Sequence, residues 1–156
     1  LEHVLVMLLS TQKQTLAVAE SCTGGLLAHR ITNVPGASEV FLVGYVTYAN
    51  EAKTNIVAVG AELLENHGAV SEPVARAMAE GARARARSTY ALSTTGIAGP
   101  GGGSREKPVG TVYVGLASAN DDTVVKKFFF PTDRETFKHL TTQVALDLLR
   151  CRLVRT

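Results

Sequence analysis

Residues 16–31 have the sequence LAVAESCTGGLLAHRI, in which an apolar run, a polar turn and a second apolar run follow one another. The first run is typical of a buried strand, and the second begins a helix. Backbone N–H groups at the start of a helix have no intrahelical partner and favour negative charge. Gly24 and Gly25 allow a ligand to approach the backbone closely. We therefore expect the rest of the chain to supply chemical partners for the turn at Ser21–Gly25.

A second strand is predicted at residues 40–48, which are nearly all apolar or β-branched. Such a run is typical of a central strand that is buried on both faces. The strand at 15–19, a helix that ends near Thr32-Asn33 and the strand at 40–48 together make a βαβ unit. Its two strands are expected to be parallel and its crossover right-handed.

The remaining elements follow from periodicity, turn residues and capping signals. Helices are predicted at 1–13, at 51–57 with Asn50 as the cap, at 61–67, at 72–87 and from a capping box at Thr132 and Glu135 to about residue 150. The apolar stripe of the last helix is expected at Leu140, Val144, Leu148 and Leu149. Strands are predicted at 89–94, 110–118 and 123–130, of which the last two form an antiparallel hairpin. The result is a mixed five-stranded α/β sheet with helices on both faces.

The composition is that of an ordinary globular domain, and we expect one domain over residues 1–156. Apolar residues make up 46% of the chain and charged residues 19%, and the net charge of +2 gives no argument for nucleic acid. Cys22 and Cys151 are too few for a disulfide framework, and no His or Cys spacing indicates a metal. No apolar run approaches the roughly 20 residues of a membrane span. We expect a cytoplasmic protein with no membrane or nucleic-acid partner.

Three loops leave the carboxyl ends of the predicted parallel strands. They carry Ser21, residues 48–53 and residues 95–104. In open α/β sheets such loops gather at one edge and build the binding site. The topology therefore predicts that these three loops meet.

Ser21 is the candidate nucleophile of that site, with oxyanion donors from the N–H groups of Thr23, Gly24 and Gly25. The alternative is that Ser21 only caps the helix. Cys22 is the rival nucleophile, because a helix N-terminus lowers a thiol pKa. Small buried cysteines are, however, usually inert packing residues.

Lys53 is the candidate base, because Ser–Lys pairs carry out acyl chemistry on several unrelated folds. A lysine accepts a proton only when it is largely neutral, which requires burial or a nearby cation. Tyr48 would relay the proton or donate to the oxyanion. The alternative is a solvated lysine in the first turn of a helix.

The stretch from Thr95 to Ser104 is too glycine-rich for a regular element and matches neither a Walker A loop nor GxGxxG. It is able to form a nest of N–H groups for an anion, and the alternative is a flexible surface hairpin. Arg134, predicted at the second position of the last helix, would hold a phosphate or carboxylate at the mouth of the site. The alternative is a surface arginine paired with Asp133 or Glu135.

Taken in series, these stretches resemble the CinA C-terminal domain family, whose enzymatic members are the PncC-type nicotinamide-nucleotide amidases. The matching stretches are AESCTGG (19–25), VTYANEAK (46–53), HGAVSE (67–72), TGIAGPGGGS (95–104) and KPVGTVY (107–113). They occur in the same order through about residues 5–150. The resemblance implies a three-layer α/β/α fold with a mixed, mainly parallel five-stranded sheet of anticodon-binding-domain-like topology.

The resemblance also implies hydrolysis of the carboxamide of nicotinamide mononucleotide, to nicotinic acid mononucleotide and ammonia, in pyridine-nucleotide salvage. Carried over by position, Ser21 is the nucleophile, Lys53 the base and Tyr48 the tyrosine beside them. The residues expected to bind the nucleotide are Thr23, Gly24, Gly25, Thr95, Gly96, Gly99, Gly101 and Arg134. No cofactor or metal is expected, and the family commonly self-associates, which favours a homodimer.

Two departures from the family pattern bear on this expectation. Ala49 stands where the family commonly has serine, with little expected consequence. The N-terminal partner domain of full-length CinA proteins is not part of the sequence, so a stand-alone amidase and a cut domain both fit. The alternative function is a non-catalytic nucleotide-binding or sensor module on the same fold.

Overall fold

The computed structural model describes residues 1–155. These residues form six α-helices and five β-strands, with one short 3-10 helix at Ala37–Glu39. The elements are α1 (Glu2–Thr11), β1 (Leu16–Glu20), α2 (Leu26–Thr32), β2 (Phe41–Val46), α3 (Asn50–Val57), α4 (Ala61–His67), α5 (Glu72–Ala86), β3 (Tyr90–Gly96), β4 (Thr111–Ser118), β5 (Val124–Phe129) and α6 (Arg134–Leu153).

The strands form one mixed sheet in the order β2-β1-β3-β4-β5. β1 pairs in parallel with β2 and with β3, whereas β4 runs antiparallel to both of its neighbours. Helices α1, α2 and α6 pack on one face through a core that includes Leu5, Leu27 and Phe137. Helices α3 and α5 cover the other face through Val57, Val74 and Met78. The three-layer α/β/α fold and the β4–β5 hairpin are therefore confirmed.

β2 is an edge strand, and the prediction that it is a central strand buried on both faces is wrong. Its residues alternate between half-buried and exposed, and Leu42 and Val46 are among the exposed apolar side chains. The pairing register shifts by one residue between Leu16 and Ala17, so Leu42 is the extra residue of a bulge. The continuous apolar run therefore reflects a bulge and an apolar outer face, not burial on both sides.

Two predicted helix starts are displaced by one residue. Asp133, not Thr132, caps α6, and its carboxylate accepts the N–H of Thr136. Arg134 is thus the first residue of α6, not the second. Asn50 is the first residue of α3 and makes no capping bond, since the N-cap position belongs to Ala49.

The core-facing side of α6 agrees with the predicted stripe except at Leu140. Leu149 is fully buried, and Val144 and Leu148 are half-buried against the core, whereas Leu140 is 39% exposed. Phe137, Thr141 and Ala145 complete the buried side, and the buried threonine interrupts the apolar series, which obscures its helical period in the sequence.

Gly81 is where α5 approaches the end of α3 most closely. A β-carbon at this position would overlap the carbonyl oxygen of Val57. We expect Gly81→Ala to lower the free energy of unfolding by roughly 1–3 kcal/mol, because this overlap outweighs the better helix propensity of alanine. Urea denaturation measures the change. Gly60→Ala is the control, since the atom nearest to an added β-carbon is 4.0 Å away. An unchanged urea midpoint for Gly81→Ala would contradict the close packing.

Candidate active site

A cavity of about 290 Å³ lies where the carboxyl ends of β1, β2 and β3 meet. The three predicted loops all reach it, as the topology requires. Among the residues proposed from the sequence, those that line it are Ser21, Tyr48, Lys53, Thr95, Gly96, Gly99, Gly101 and Arg134. Thr23, Gly24 and Gly25 do not line it.

Ser21 and Lys53 are in direct contact in this cavity. The Nζ atom of Lys53 lies 3.0 Å from Oγ of Ser21, although 32 residues separate them in the chain. Ser21 directly follows β1, and its backbone N–H donates to the carbonyl of Thr94 on β3. Lys53 lies in α3. One candidate reacting group is therefore held by the turn after β1 and the other by a helix.

Lys53 is a buried amine that is only 1% exposed. This burial lowers its pKa from the ordinary value of 10.5, because the charged form loses its hydration. Besides Ser21, its Nζ contacts the carbonyl oxygens of Thr47 and Tyr48, at 2.9 and 3.0 Å. No carboxylate forms an ion pair with this amine within residues 1–155.

These contacts determine the orientation that a neutral Lys53 amine would have. A carbonyl oxygen only accepts hydrogen bonds, so the two carbonyls take the two hydrogens of a neutral –NH₂ group. The lone pair is then left for the third contact, which is the Ser21 hydroxyl. In its neutral form, the amine would therefore present its lone pair to the Ser21 hydroxyl.

Cys22 is a poor nucleophile in this structure. Burial raises the pKa of its thiol to about 12, so the reactive thiolate is not formed near neutral pH. The residue lines the cavity but is only 5% exposed. These observations favour Ser21 over Cys22 and agree with the packing role of small buried cysteines.

The start of α2 has a resident anion, which is the side chain of Glu20. Its carboxylate accepts the N–H groups of Gly25, Leu27 and Ala28 at 2.8–3.1 Å. The N–H of Gly24 donates to the Ser21 carbonyl. The expectation that Gly24 and Gly25 supply oxyanion donors is therefore corrected, because both N–H groups already have partners.

Thr23 also turns its hydroxyl away from the cavity. Its Oγ1 is fully buried between Glu20, at 2.6 Å, and the hydroxyl of Thr94, at 2.7 Å. The backbone N–H groups of Cys22 and Thr23, by contrast, make no hydrogen bond to another residue in 1–155. Only Cys22 of these two lines the cavity, so its N–H is the candidate donor of the turn beside Ser21.

The glycine-rich loop offers a second group of available donors. The N–H groups of Ala98, Gly99, Gly101 and Gly102 bond to nothing else in the described part of the chain, and all four residues line the cavity. Thr95 at the base of the loop is committed differently, since its hydroxyl donates to the carbonyl of Ala69. The loop thus presents backbone amides rather than the Thr95 hydroxyl.

Arg134 and Tyr48 close the mouth of the cavity together. One guanidinium nitrogen of Arg134 donates to the Tyr48 phenol at 2.8 Å, and the other donates to the carbonyl of Gly99 at 2.9 Å. Arg134 thereby joins α6 to the β2 loop and the glycine-rich loop. The phenol contacts Arg134 rather than Ser21 or Lys53, so the relay role of Tyr48 stays a prediction, and its observed contact with Lys53 is through its carbonyl.

Several residues of the site were not found from the sequence. Asn50, Val70 and Ile97 line the cavity, and Glu20 organises the turn beneath it. A signal for Glu20 was present, since it alternates with Leu16 and Val18 on one face of β1 and thus points towards the helices. The wall residues Val70 and Ile97 have no comparable signal, because isolated apolar loop residues are common.

The described residues contain no group of three or more His, Cys, Asp or Glu side chains that could hold a metal ion. Among the same residues, no helix combines the length and the apolar character that crossing a membrane requires.

Comparison with known proteins identifies a matching family and several similar proteins. The model of the CinA C-terminal domain matches residues 1–153. A CinA-like protein of Chlorobaculum tepidum is 52% identical over 98% of the chain, and one of Acidobacterium capsulatum is 47% identical over 99%. The chain spans only 37% of the length of each of these relatives.

A solved structure shows the same fold over nearly the whole chain. The competence/damage inducible protein CihA of Agrobacterium tumefaciens superposes with a TM-score of 0.94 and is 38% identical in sequence. The alignment covers 96% of this chain and 92% of that one. The arrangement of the sheet and helices is therefore shared with a protein of similar length.

Proposed function

This chain belongs to the CinA C-terminal domain family, and from that premise we propose that it hydrolyses the carboxamide of nicotinamide mononucleotide. The products are nicotinic acid mononucleotide and ammonia, and the reaction passes through an acyl-enzyme on Ser21. The observation that carries the proposal is the contact between Lys53 and Ser21, in which the buried amine has only carbonyl oxygens as its other partners.

In the first step, Lys53 accepts the hydroxyl proton as Ser21 Oγ attacks the carboxamide carbon. The negative charge that develops on the carboxamide oxygen requires donors aimed at it. The N–H of Cys22 directly follows the nucleophile in sequence, belongs to a residue that lines the cavity, and bonds to no other residue in the described chain. The lysine proton then passes to the leaving nitrogen, and ammonia departs.

In the second step, water attacks the acyl carbon and Lys53 accepts its proton. The ester bond breaks, Ser21 recovers its proton, and nicotinic acid mononucleotide is released. A neutral base is needed in both steps, and burial favours the neutral form by lowering the pKa of the Lys53 amine.

The rest of the cavity suits the other parts of this nucleotide. Val70 and Ile97 provide an apolar wall for the pyridinium ring, and the exposed ring of Tyr48 favours a cation over its face. The free N–H groups of the glycine-rich loop, with Arg134, favour the phosphate. Binding the phosphate requires Arg134 to exchange its bonds to Tyr48 and Gly99 for the ligand.

The test is release of ammonia from nicotinamide mononucleotide, with the nucleotide product identified by chromatography. We expect turnover of the mononucleotide, and a much lower rate with free nicotinamide because it lacks the ribose phosphate. Tight binding of the mononucleotide without release of ammonia would support the sensor module and contradict the amidase.

Replacement of Cys22 distinguishes between the two candidate nucleophiles, Ser21 and Cys22. We expect Cys22→Ala to keep kcat within about threefold of the wild-type value, because a thiol whose pKa is about 12 supplies no nucleophile. The measurement is ammonia release per folded molecule, after circular dichroism has confirmed the fold. Loss of activity in folded Cys22→Ala would instead assign the chemistry to the thiol.

A further inference from the structure

Glu20 is a fully buried carboxylate that the reaction above does not use. Four donors converge on it, and its Oε2 atom accepts three of them, from the Thr23 hydroxyl and the N–H groups of Gly25 and Leu27. Its Oε1 atom accepts the fourth, from the N–H of Ala28 at 2.8 Å. No cation pairs with it among residues 1–155, so hydrogen bonds alone compensate its burial.

These bonds fix the turn that carries Ser21. The turn begins directly after Glu20 and ends at Gly25, and the carboxylate binds its far end and the first turn of α2. The chain between these points is therefore a short closed loop. Its backbone conformation is set by the position of one carboxylate.

A second connection ties the same turn to β3. The Thr23 hydroxyl has one hydrogen, which goes to Glu20, so its 2.7 Å contact with Thr94 is a bond that Thr94 donates. The carbonyl of Thr94 accepts the N–H of Ser21. Ser21 is thus held between the Glu20 network on one side and β3 on the other.

We propose that Glu20 is the positioning residue for the nucleophile. Its carboxylate holds the turn so that Ser21 Oγ lies 3.0 Å from Lys53 Nζ, and it occupies the N–H groups at the start of α2, which leaves the N–H of Cys22 for the oxyanion. Glu20 does not line the cavity and contacts no reacting atom. The inference rests on the proposed function, and it concerns the alignment of that site.

Glu20→Gln tests the proposal with little change in side-chain shape. The amide oxygen replaces the oxygen that accepts three bonds, and its –NH₂ group then faces the N–H of Ala28, donor against donor. We expect a folded protein whose kcat is about 10- to 100-fold lower, because a small displacement of a reacting group costs that much. The KM should be unchanged, since the cavity wall is intact.

Thr23→Val and Thr23→Ser provide a second, matched pair. Valine keeps the shape of threonine but removes the donor to Glu20, whereas serine keeps the hydroxyl. We expect Thr23→Val to lower kcat and Thr23→Ser to restore most of it. Ile31→Ala is the stability control, because it truncates a core residue of α2 without touching the network.

A second readout does not need the natural substrate. A fluorophosphonate reacts with an activated serine by forming an O–P bond and expelling fluoride, while the hydroxyl proton passes to Lys53. Labelling of Ser21 should slow in Glu20→Gln and Thr23→Val, and should keep the wild-type rate in Ile31→Ala. If the wild type releases no ammonia, the proposed function fails, and this labelling still tests the positioning.

The outcomes decide the role of the carboxylate. Lower kcat and slower labelling in folded Glu20→Gln, with rescue in Thr23→Ser, support positioning of the nucleophile. Wild-type kcat and labelling in folded Glu20→Gln would overturn it and leave Glu20 as a helix cap. An equal loss in Ile31→Ala would overturn it as well, because general loosening of α2 would then explain the effect.

Discussion

Ammonia release from nicotinamide mononucleotide is expected to fall by at least about 10³-fold when Ser21 is replaced with alanine, because the residue that forms the acyl bond is lost. The change removes one hydroxyl whose contact is with the Lys53 amine. The backbone bond from Ser21 to Thr94 is kept, so the turn should retain its conformation. The nucleotide should still bind, since the cavity wall and Arg134 are unchanged.

Two measurements on Ser21→Ala separate catalysis from binding. Ammonia release gives kcat, and isothermal titration with the mononucleotide gives the dissociation constant. Ser10→Ala is the matched control, because Ser10 is an exposed serine on α1. Activity of Ser21→Ala near that of Ser10→Ala would show that another group attacks the carboxamide.

Replacement of Lys53 is expected to have the second-largest effect. Lys53→Met fills the same space without a base, and we expect kcat to fall by about 10²- to 10⁴-fold. Lys53→Arg is the sharper variant, because a guanidinium keeps the positive charge and the donors but does not accept a proton in proteins. Both variants should therefore show this loss of kcat. If Lys53 had only a structural role, arginine would restore the activity. Lys126→Met is the control, as Lys126 is exposed on β5.

The pH dependence of the wild type follows from the same buried amine. The active form is the neutral one, so kcat/KM should rise with pH through an apparent pKa below 10.5, in the direction that burial imposes. A profile that rises only above pH 10.5 would mean that the amine is solvated during the reaction.

The free energy of unfolding should also depend on pH because of the Lys53 amine. Between the lowered pKa of Lys53 in the folded protein and its ordinary value in the unfolded chain, the unfolded state binds more protons. The free energy of unfolding should therefore rise with pH across this window and fall as the pH drops through it. Lys53→Met removes the group and should flatten that part of the curve, which urea denaturation at several pH values measures.

The sequence predicted the meeting of Ser21 and Lys53 because the topology of parallel strands is readable locally. Each residue follows a strand whose apolar run is plain, and loops at the carboxyl ends of such strands converge. The resemblance to the CinA C-terminal domain family added the roles. What it did not supply was the pair of contacts between the Lys53 amine and the carbonyl oxygens of Thr47 and Tyr48.

The contact between Arg134 and Tyr48 could not be predicted in the same way. Arg134 and Tyr48 are 86 residues apart, and no local pattern states that their side chains meet. The edge position of β2 could not be predicted for a similar reason, because an apolar run does not show whether a neighbour covers the outer face of the strand. The expected homodimer stays a prediction.

The role of Glu20 shows how a local pattern can mislead. A strand followed by a glycine-containing turn and a helix suggested an open helix N-terminus that awaits an anion. The residue that fills this place stands in the strand itself, one position before the nucleophile. The N–H groups of the two glycines are consequently already engaged and do not point to a free site for a substrate oxyanion.

Mass spectrometry of the quenched reaction tests the covalent role of Ser21 most directly. The enzyme is mixed with nicotinamide mononucleotide, quenched in acid at a series of times, and digested into peptides. We expect the peptide containing Ser21 to carry the mass of the nucleotide less ammonia, as an ester on Ser21. Formation of nicotinic acid mononucleotide while this mass appears on Cys22, or on no residue at any quench time, would contradict it.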